Sequence, residues 1–191
     1  MSDSASPRKI ILDVAVTLDG LIEGKNGEID WCMMDSEMEF NHFLNHIDAI
    51  FYGRKSYDLW GHYHPEREAT DSEKEMWELV HSKQKYVFSR KQKGIGKAIY
   101  INEHIFEEVN KIKNKPGKDI WLYGGSGLIT SFIDLGLIDE FRLSVHPVIL
   151  GEGIPLFSDI NQRMNLKLVH TKSFSSGVVQ LIYHVNRDES D

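Results

Sequence analysis

Only one cysteine, Cys32, stands among the 191 residues. No intramolecular disulfide can form, and no cysteine-based zinc site can be built. Long apolar runs are also missing. Nothing reaches the roughly 20 residues of a membrane-crossing helix, so no membrane partner is expected. Positive charge is scarce, with 22 Lys and Arg against 29 Asp and Glu and a net charge of −7. No Lys/Arg stripe overrides that balance, which argues against a nucleic-acid surface. An anionic ligand would need local Arg, Lys and backbone N–H groups. Repeats and low-complexity segments are absent. Residues 1–7 are polar with no signal-peptide core, so a disordered lead and a cytoplasmic location are expected. What remains is ordinary for a globular chain, 41% hydrophobic and 27% charged, and its length suits one core.

Alternating, β-branched residues predict a strand over 9–16, then a turn at Thr17-Leu18-Asp19-Gly20 and a loop to Trp31. Ser36 and Glu39 have capping-box spacing. Phe40, Phe43, Leu44 and Ile47 follow at i, i+3, i+4, i+7, which predicts one amphipathic helix. A strand over 49–52 should lead into a second helix at Gly53-Arg54-Lys55-Ser56-Tyr57, and 61–70 reads as a polar loop. Ser72 and Glu75 repeat the capping-box spacing ahead of a helix running towards Val80. Strands are predicted over 85–89 and 98–101, with Gly94 and Gly96 in the loop between, and a helix over 103–113. Ile120-Trp121-Leu122-Tyr123 predicts a buried strand. It breaks on Gly124-Gly125 and continues as an apolar helix that Gly136 closes. A strand over 141–145, an unusually apolar connection over 147–157 and an antiparallel hairpin over 166–174 and 178–185 complete the pattern. A frayed acidic tail is expected over 186–191. Strands alternating with helices, then a β-rich end, give α/β: one domain over 8–185 with a mostly parallel central sheet and a C-terminal antiparallel hairpin.

Three predicted strand ends carry similar chemistry. One is Gly53-Arg54-Lys55-Ser56, a glycine, two cations and a hydroxyl. Another is Ser89-Arg90-Lys91. The third is the turn from Gly124 to Gly127, which opens a helix. Backbone N–H groups at a helix start, with the dipole behind them, favour phosphate. In a parallel sheet such ends lie along one edge, where ligands bind. Together they suit a ligand with at least two phosphate groups. The alternative reading makes each cation a solvated loop charge.

These stretches, with Leu18-Asp19-Gly20, Gly27-Glu28-Ile29-Asp30-Trp31 and the sequence PVILGEGIPLF over 147–157, resemble the dihydrofolate reductase-like fold. The closer likeness is to the branch that contains the reductase domain of riboflavin biosynthesis. The resemblance implies a three-layer α/β fold and hydride transfer from NADPH to a small heterocycle, of pterin or ribosylamino-pyrimidine type. Gly53, Arg54, Lys55 and Ser56 would hold the adenosine phosphates. Ser89 and Arg90 would lie near the adenine ribose and its 2′-phosphate. Gly124, Gly125, Ser126, Gly127 and Leu128 would cradle the pyrophosphate. Ala15, Val16 and Ile22 would line the nicotinamide, under a lid from Asp19 to Trp31. A cis peptide between Gly124 and Gly125 is implied as well. The family acid of the first helix falls on Ser36 here. Asp35 beside it is the candidate proton donor or substrate anchor; a bound water or a simple N-cap role is the alternative.

A homodimer is expected, with 147–157 packed under the site or at the dimer contact. The competing function is a sensor or accessory protein that binds a dinucleotide or flavin-like ligand without turnover. Other candidates carry less. His42 and His46 stand at i, i+4, and His62 and His64 share a loop, but no metal is expected, since no zincin pattern follows. Ser126 lies between glycines, yet Leu128 stands where a nucleophile elbow needs glycine. Cys32, Trp121 and Tyr123 read as packing residues.

Overall fold

The computed structural model describes residues 7–34, 36–91 and 97–186. Its packing divides into two compact units, residues 1–10 with 40–125 and residues 11–39 with 126–191.

In the first unit the middle strand is β3 (Ile47–Gly53), whose run of apolar residues suits a strand covered on both faces. β4 (Gln84–Phe88) and β6 (Asp119–Gly124) pair with it in parallel on either side. β5 (Ile99–Ile101) adds to β4, also in parallel. Phe40 and Phe43 of α1 (Phe40–Asn45) stand edge-on to Trp121 of β6 at 5.5 and 5.7 Å. α2 (Arg54–Trp60) leaves β3 directly, with Gly53 as N-cap. α3 (Asp71–Ser82) precedes β4, and α4 (Ile105–Lys113) precedes β6. Arg8 is buried and would be costly without a partner. It pairs with Asp48, whose second oxygen accepts the Lys118 N–H at 2.9 Å.

In the second unit β1 (Ile10–Thr17) pairs in parallel with β7 (Glu140–His146). β10 (Val179–Val185) is antiparallel to β7, and β9 (Leu166–Ser173) is antiparallel to β10. A small antiparallel sheet joins β2 (Leu21–Gly24) to β8 (Gly153–Pro155). α5 (Ser126–Asp134) buries Leu128, Ile129, Phe132 and Ile133. Gly136, at φ +62°, ends it. Its N–H donates to Ile133 O, and that of Leu137 donates to Phe132 O, both at 2.9 Å, a Schellman closure that needs the left-handed glycine.

The α/β class, the mostly parallel pairing and the terminal hairpin are as the sequence predicts. The peptide between Gly124 and Gly125 is cis. Among the described residues no helix is long and apolar enough to cross a membrane. Neither helix starts at its predicted capping box. Glu39 takes φ +49°, so a 3-10 turn over Ser36–Met38 stops short and α1 starts afresh at Phe40. Ile47 leaves the helical pattern because β3 takes it for pairing with Asp119. The second box uses Thr70 and Glu73, not Ser72 and Glu75: Glu73 N–H donates to Thr70 Oγ1 at 3.2 Å, and Thr70 N–H donates to the Glu73 carboxylate at 2.8 Å. The sequence reading also misses β2 and β8, which lie inside predicted loops. The expectations for Asp35, for Gly94 and Gly96, and for most of both tails fall outside the described residues.

The two possible caps of α3 separate in a denaturation experiment. Thr70→Ala should destabilise by about 1 kcal/mol in urea unfolding. Ser72→Ala should stay within about 0.5 kcal/mol of wild type. The reverse order would return the helix start to Ser72.

Candidate functional site

Parallel pairing brings three of the predicted strand ends side by side in the first unit, in the order β4, β3, β6. Gly53 follows β3 directly into α2. A Cβ there would stand 3.3 Å from the Gly124 carbonyl oxygen. A Cβ on Gly125 would stand 3.2 Å from Ser56 Oγ, which accepts the Gly125 N–H at 2.9 Å. The two turns therefore touch through backbone, and glycine is what lets them approach. Ser56 keeps its hydroxyl proton for another acceptor. Arg54 is exposed, and its Nε donates to both oxygens of Asp58 at 2.7 and 2.8 Å. The hydrogen bond and charge of Asp58 raise its pKa further. An exposed i, i+4 pair is weak, so Arg54 can exchange Asp58 for a stronger anion. Lys55 and Arg90 are exposed. Ser89 N–H donates to Ile101 O at 3.0 Å, and its Oγ donates to Lys91 O at 2.7 Å.

Below these turns lies a row of tyrosines. The Tyr52 ring is 4.8 Å from that of Tyr123 and 5.7 Å from that of Tyr57. Burial pushes the Tyr52 phenol well up, and its hydroxyl has no hydrogen-bond partner among the described residues. Trp121 is buried against α1, so it packs rather than stacks a ligand.

The second unit holds the remaining predicted residues. Ala15 and Val16 are strand neighbours and face opposite sides of β1, while Ile22 lies in β2. Ser126, Gly127 and Leu128 form the first turn of α5, with Gly127 exposed and Leu128 buried. Asp19 ties two loops together. It accepts from Thr17 Oγ1 at 2.5 Å, from Gly151 N–H at 2.8 Å and from Leu150 N–H at 3.4 Å. The Thr17 bond, then that of Gly151, hold its carboxyl below the usual aspartate range. Thr17 Oγ1 in turn accepts the Leu21 N–H at 2.9 Å. The segment after Trp31 is held at both ends. The Trp31 ring meets His146 edge-on at 5.3 Å, and His146 Nε2 lies 3.3 Å from Met33 O. Lys172 Nζ donates to Glu37 O at 2.9 Å. Cys32 lies part-buried in this segment, and burial raises its thiol pKa.

Residues 8–180 match the model of the RibD C-terminal domain. The chain belongs to the RibD C-terminal domain family. It is 67% identical over 187 residues to the uncharacterized protein YyaP of Bacillus subtilis (strain 168), covering 97% of this chain and 100% of YyaP. A pyrimidine reductase-like protein of Corynebacterium diphtheriae superposes with a TM-score of 0.68 at 15% identity, over 95% of this chain and 93% of its own. Dihydrofolate reductase from Enterococcus faecalis, complexed with NADP(H) and RAB-propyl, gives a TM-score of 0.64 at 15% identity, over 93% and 96%. At those identities the likeness is one of fold, and it is the dihydrofolate reductase-like fold implied by the strand-end motifs.

This RibD C-terminal domain also carries ionisable groups that the sequence reading passes over. Asp13 interrupts the apolar run of β1 and is part-buried beside its register partner Arg142. Burial pushes its carboxyl up to about 7. The Arg142 charge opposes the shift and the Glu140 charge adds to it. Arg142 Nε donates to Glu140 at 2.6 Å, and His184 Nε2 lies 3.2 Å from the other Glu140 oxygen. The sequence signal was the alternation of Glu140, Arg142, Ser144 and His146 with Phe141, Leu143 and Val145. Among predicted histidines, His42 and His46 face each other at 4.3 Å, and His62 and His64 lie against Tyr57 and His81.

Two outcomes follow from these carboxyls. Asp13 has a folded-state value near 7 against an ordinary 3.8. Between them the native state holds a proton that the unfolded chain has released, so stability falls as pH rises through that window. Asp13→Asn cannot ionise. Its stability relative to wild type should grow by up to a few kcal/mol from about pH 4 to about pH 8 in urea unfolding. A constant difference would mean that the fold accepts the charged form freely. The Asp19 tie has the opposite sign: it is complete above the usual aspartate range and weakens only as pH falls through its own lowered pKa. At neutral pH, Asp19→Ala should speed hydrogen exchange at the Leu21 and Gly151 amides. Unchanged protection there would remove its tying role.

Proposed function

We propose that this protein is an NADPH-dependent reductase acting on a small nitrogen heterocycle, of pterin or ribosylamino-pyrimidine type. The observation that carries the reading is the alignment of β4, β3 and β6, whose parallel ends bring Ser89-Arg90, Gly53-Arg54-Lys55-Ser56 and Gly124-Gly125 to one sheet edge. Ligands of open parallel sheets bind beyond such ends. The close turns at Gly53 and Gly125 fit a cradle of backbone and hydroxyl groups for phosphate. The NADP(H) bound by the Enterococcus reductase supports the choice of dinucleotide, and family membership supports reductase chemistry.

When bound, a reduced nicotinamide supplies the hydride. The protein binds, orients and excludes water. Arg54 and Lys55 offer charge to the phosphates, and Ser89 and Arg90 recognise the 2′-phosphate. Gly124, Gly125, Ser126, Gly127 and Leu128 take the pyrophosphate. Ala15, Val16 and Ile22 are the residues assigned to the nicotinamide, with 19–31 as the lid. Asp35 stays a proposed proton donor. A cytoplasmic homodimer accompanies this reading. Exposed Ile149, Phe157 and Leu168, at 69, 46 and 49%, support an apolar contact between copies.

Fluorescence titration with NADPH and NADH tests the cofactor. NADPH should bind more tightly, and Arg54→Ala should weaken it by about tenfold or more, as the loss of a charge-assisted bond implies. Absence of binding for both nucleotides would overturn the reading. Binding without oxidation in the presence of dihydrofolate or a ribosylamino-pyrimidine would favour the sensor alternative.

A further inference from the structure

We infer that the apolar face of the sheet formed by β7, β10 and β9 is where a second copy of this chain docks, face to face across a two-fold axis. The inference deepens the homodimer of the reading above and rests on that part of it, not on the cofactor chemistry. Register partners share a sheet face, so the three strands form cross-strand rows. Phe141, Tyr183 and Leu168 make one row, and Leu143, Leu181 and Thr171 the next. Val145, Val179 and Ser173 follow, and Val185 pairs with Leu166 at the other end. Among the described residues, these rows hold hydrocarbon and hydroxyl groups and no charged side chain. The opposite face of the same strands carries Glu140 and Arg142 on β7, and Lys167, His170 and Lys172 on β9.

An antiparallel sheet with one wet face ordinarily turns its apolar residues inward and its charged ones to water. Here the apolar side is itself open. Phe141 is buried, but Leu143, Leu181 and Tyr183 are only half-buried. Leu166, Leu168 and Val179 are 37, 49 and 36% exposed. Exposure grows outward from β7 to β9, the last strand of its sheet. Single apolar residues scattered over a surface need no explanation. Confinement to one face of three adjacent strands is different, since it is the pattern of half a sandwich core.

Charge decides the occupant. The chain carries a net charge of −7, so two copies repel where their acidic surfaces meet. An uncharged face is where they approach at least cost. A nucleic acid or a strongly charged protein would find no complementary group there. Size agrees. The three strands span roughly 15 by 25 Å. Phe157, half-exposed with its ring 6.3 Å from that of Phe141, extends the face at one border. With side chains standing off the sheet, the area approaches the roughly 800 Å² per partner of a stable interface. A flat, uncharged face is complementary to itself, and two such sheets pack about 10 Å apart. The contact is then isologous, the same patch serving both copies.

Sedimentation velocity over a dilution series tests the contact, with circular dichroism as the check on folding. Wild type should be a dimer. Leu168→Glu should weaken self-association by about a hundredfold or more, because each copy would bring an unpaired carboxylate into the contact. Lys167→Glu, on the opposite face of the same strand, should leave association within about threefold of wild type. A wild type that stays monomeric overturns the inference and assigns the face to a different apolar partner. Dimerisation of Leu168→Glu as strong as that of wild type also overturns it, and so does equal dissociation by Lys167→Glu. If Leu168→Glu fails to fold, Thr171→Glu on the next row takes its place with the same two outcomes. Hydrogen exchange separates face packing from edge pairing. Amides on the outer edge of β9 should exchange equally fast in dimer and monomer. Their protection in the dimer would mean that the edges of two copies pair, which overturns the face-to-face contact. NADPH titration of the same samples keeps the two readings apart. A dimer that binds no NADPH leaves this contact standing and removes the cofactor reading, whereas a monomer that binds NADPH does the reverse.

Discussion

Strand β3 has parallel neighbours on both sides, and the first unit follows from that constraint. Double pairing requires apolar residues on both faces, and the stretch around Ile50 and Phe51 supplies them. It also takes Ile47 from the end of a helical pattern and gives it to the sheet. Because β4 and β6 run in the same direction, the turns that leave them emerge beside the turn that leaves β3. A side chain on Gly53 would then crowd the Gly124 carbonyl oxygen, and one on Gly125 would crowd the Ser56 hydroxyl. The close approach of backbone groups at this edge is thus a product of strand order, and chemistry is placed by topology.

The second unit solves a different problem. Its loops are long and would cost entropy to order. Asp19 gathers amides and a hydroxyl from both loops onto one carboxylate, and the β2–β8 ladder continues the tie. Meanwhile β7 carries unlike faces. One packs as hydrocarbon, and the other holds Arg142, Glu140 and His146. Burial there disfavours the charged form of an acid such as Asp13, and the Arg142 charge beside it opposes that effect.

Much of this was legible in the sequence because it is local. A strand that ends on glycine and restarts as a helix is written in consecutive residues, and so are the cations after β3 and β4. The hairpin of β9 and β10 is marked by its serine and glycine turn. Other features are not local. β2 and β8 are short strands more than a hundred residues apart, and neither has meaning without the other. The left-handed turn at Glu39 cancels a capping signal that looks complete in sequence. Asp13 is visible as an acid in an apolar run, but its significance depends on the register that sets it beside Arg142. Thr70 won the cap from Ser72 through a two-residue difference that spacing alone does not resolve.

The chain crosses between its units three times, after residues 10, 39 and 125. The consequence concerns the order of folding. All parts of the first unit exist once synthesis has passed residue 125, and its strands can pair before the rest is made. The second unit contains residues 11–39 but must wait for β7, β10 and β9 from the far end of the sequence. Its strand β1 therefore spends much of synthesis without β7, with apolar Leu12, Val14 and Val16 lacking their native register partners. Pairing of such sequence separation is slow, and exposed apolar strands invite association meanwhile. The polar groups that interrupt β1 and β7 shorten the apolar runs that would otherwise be offered during that interval.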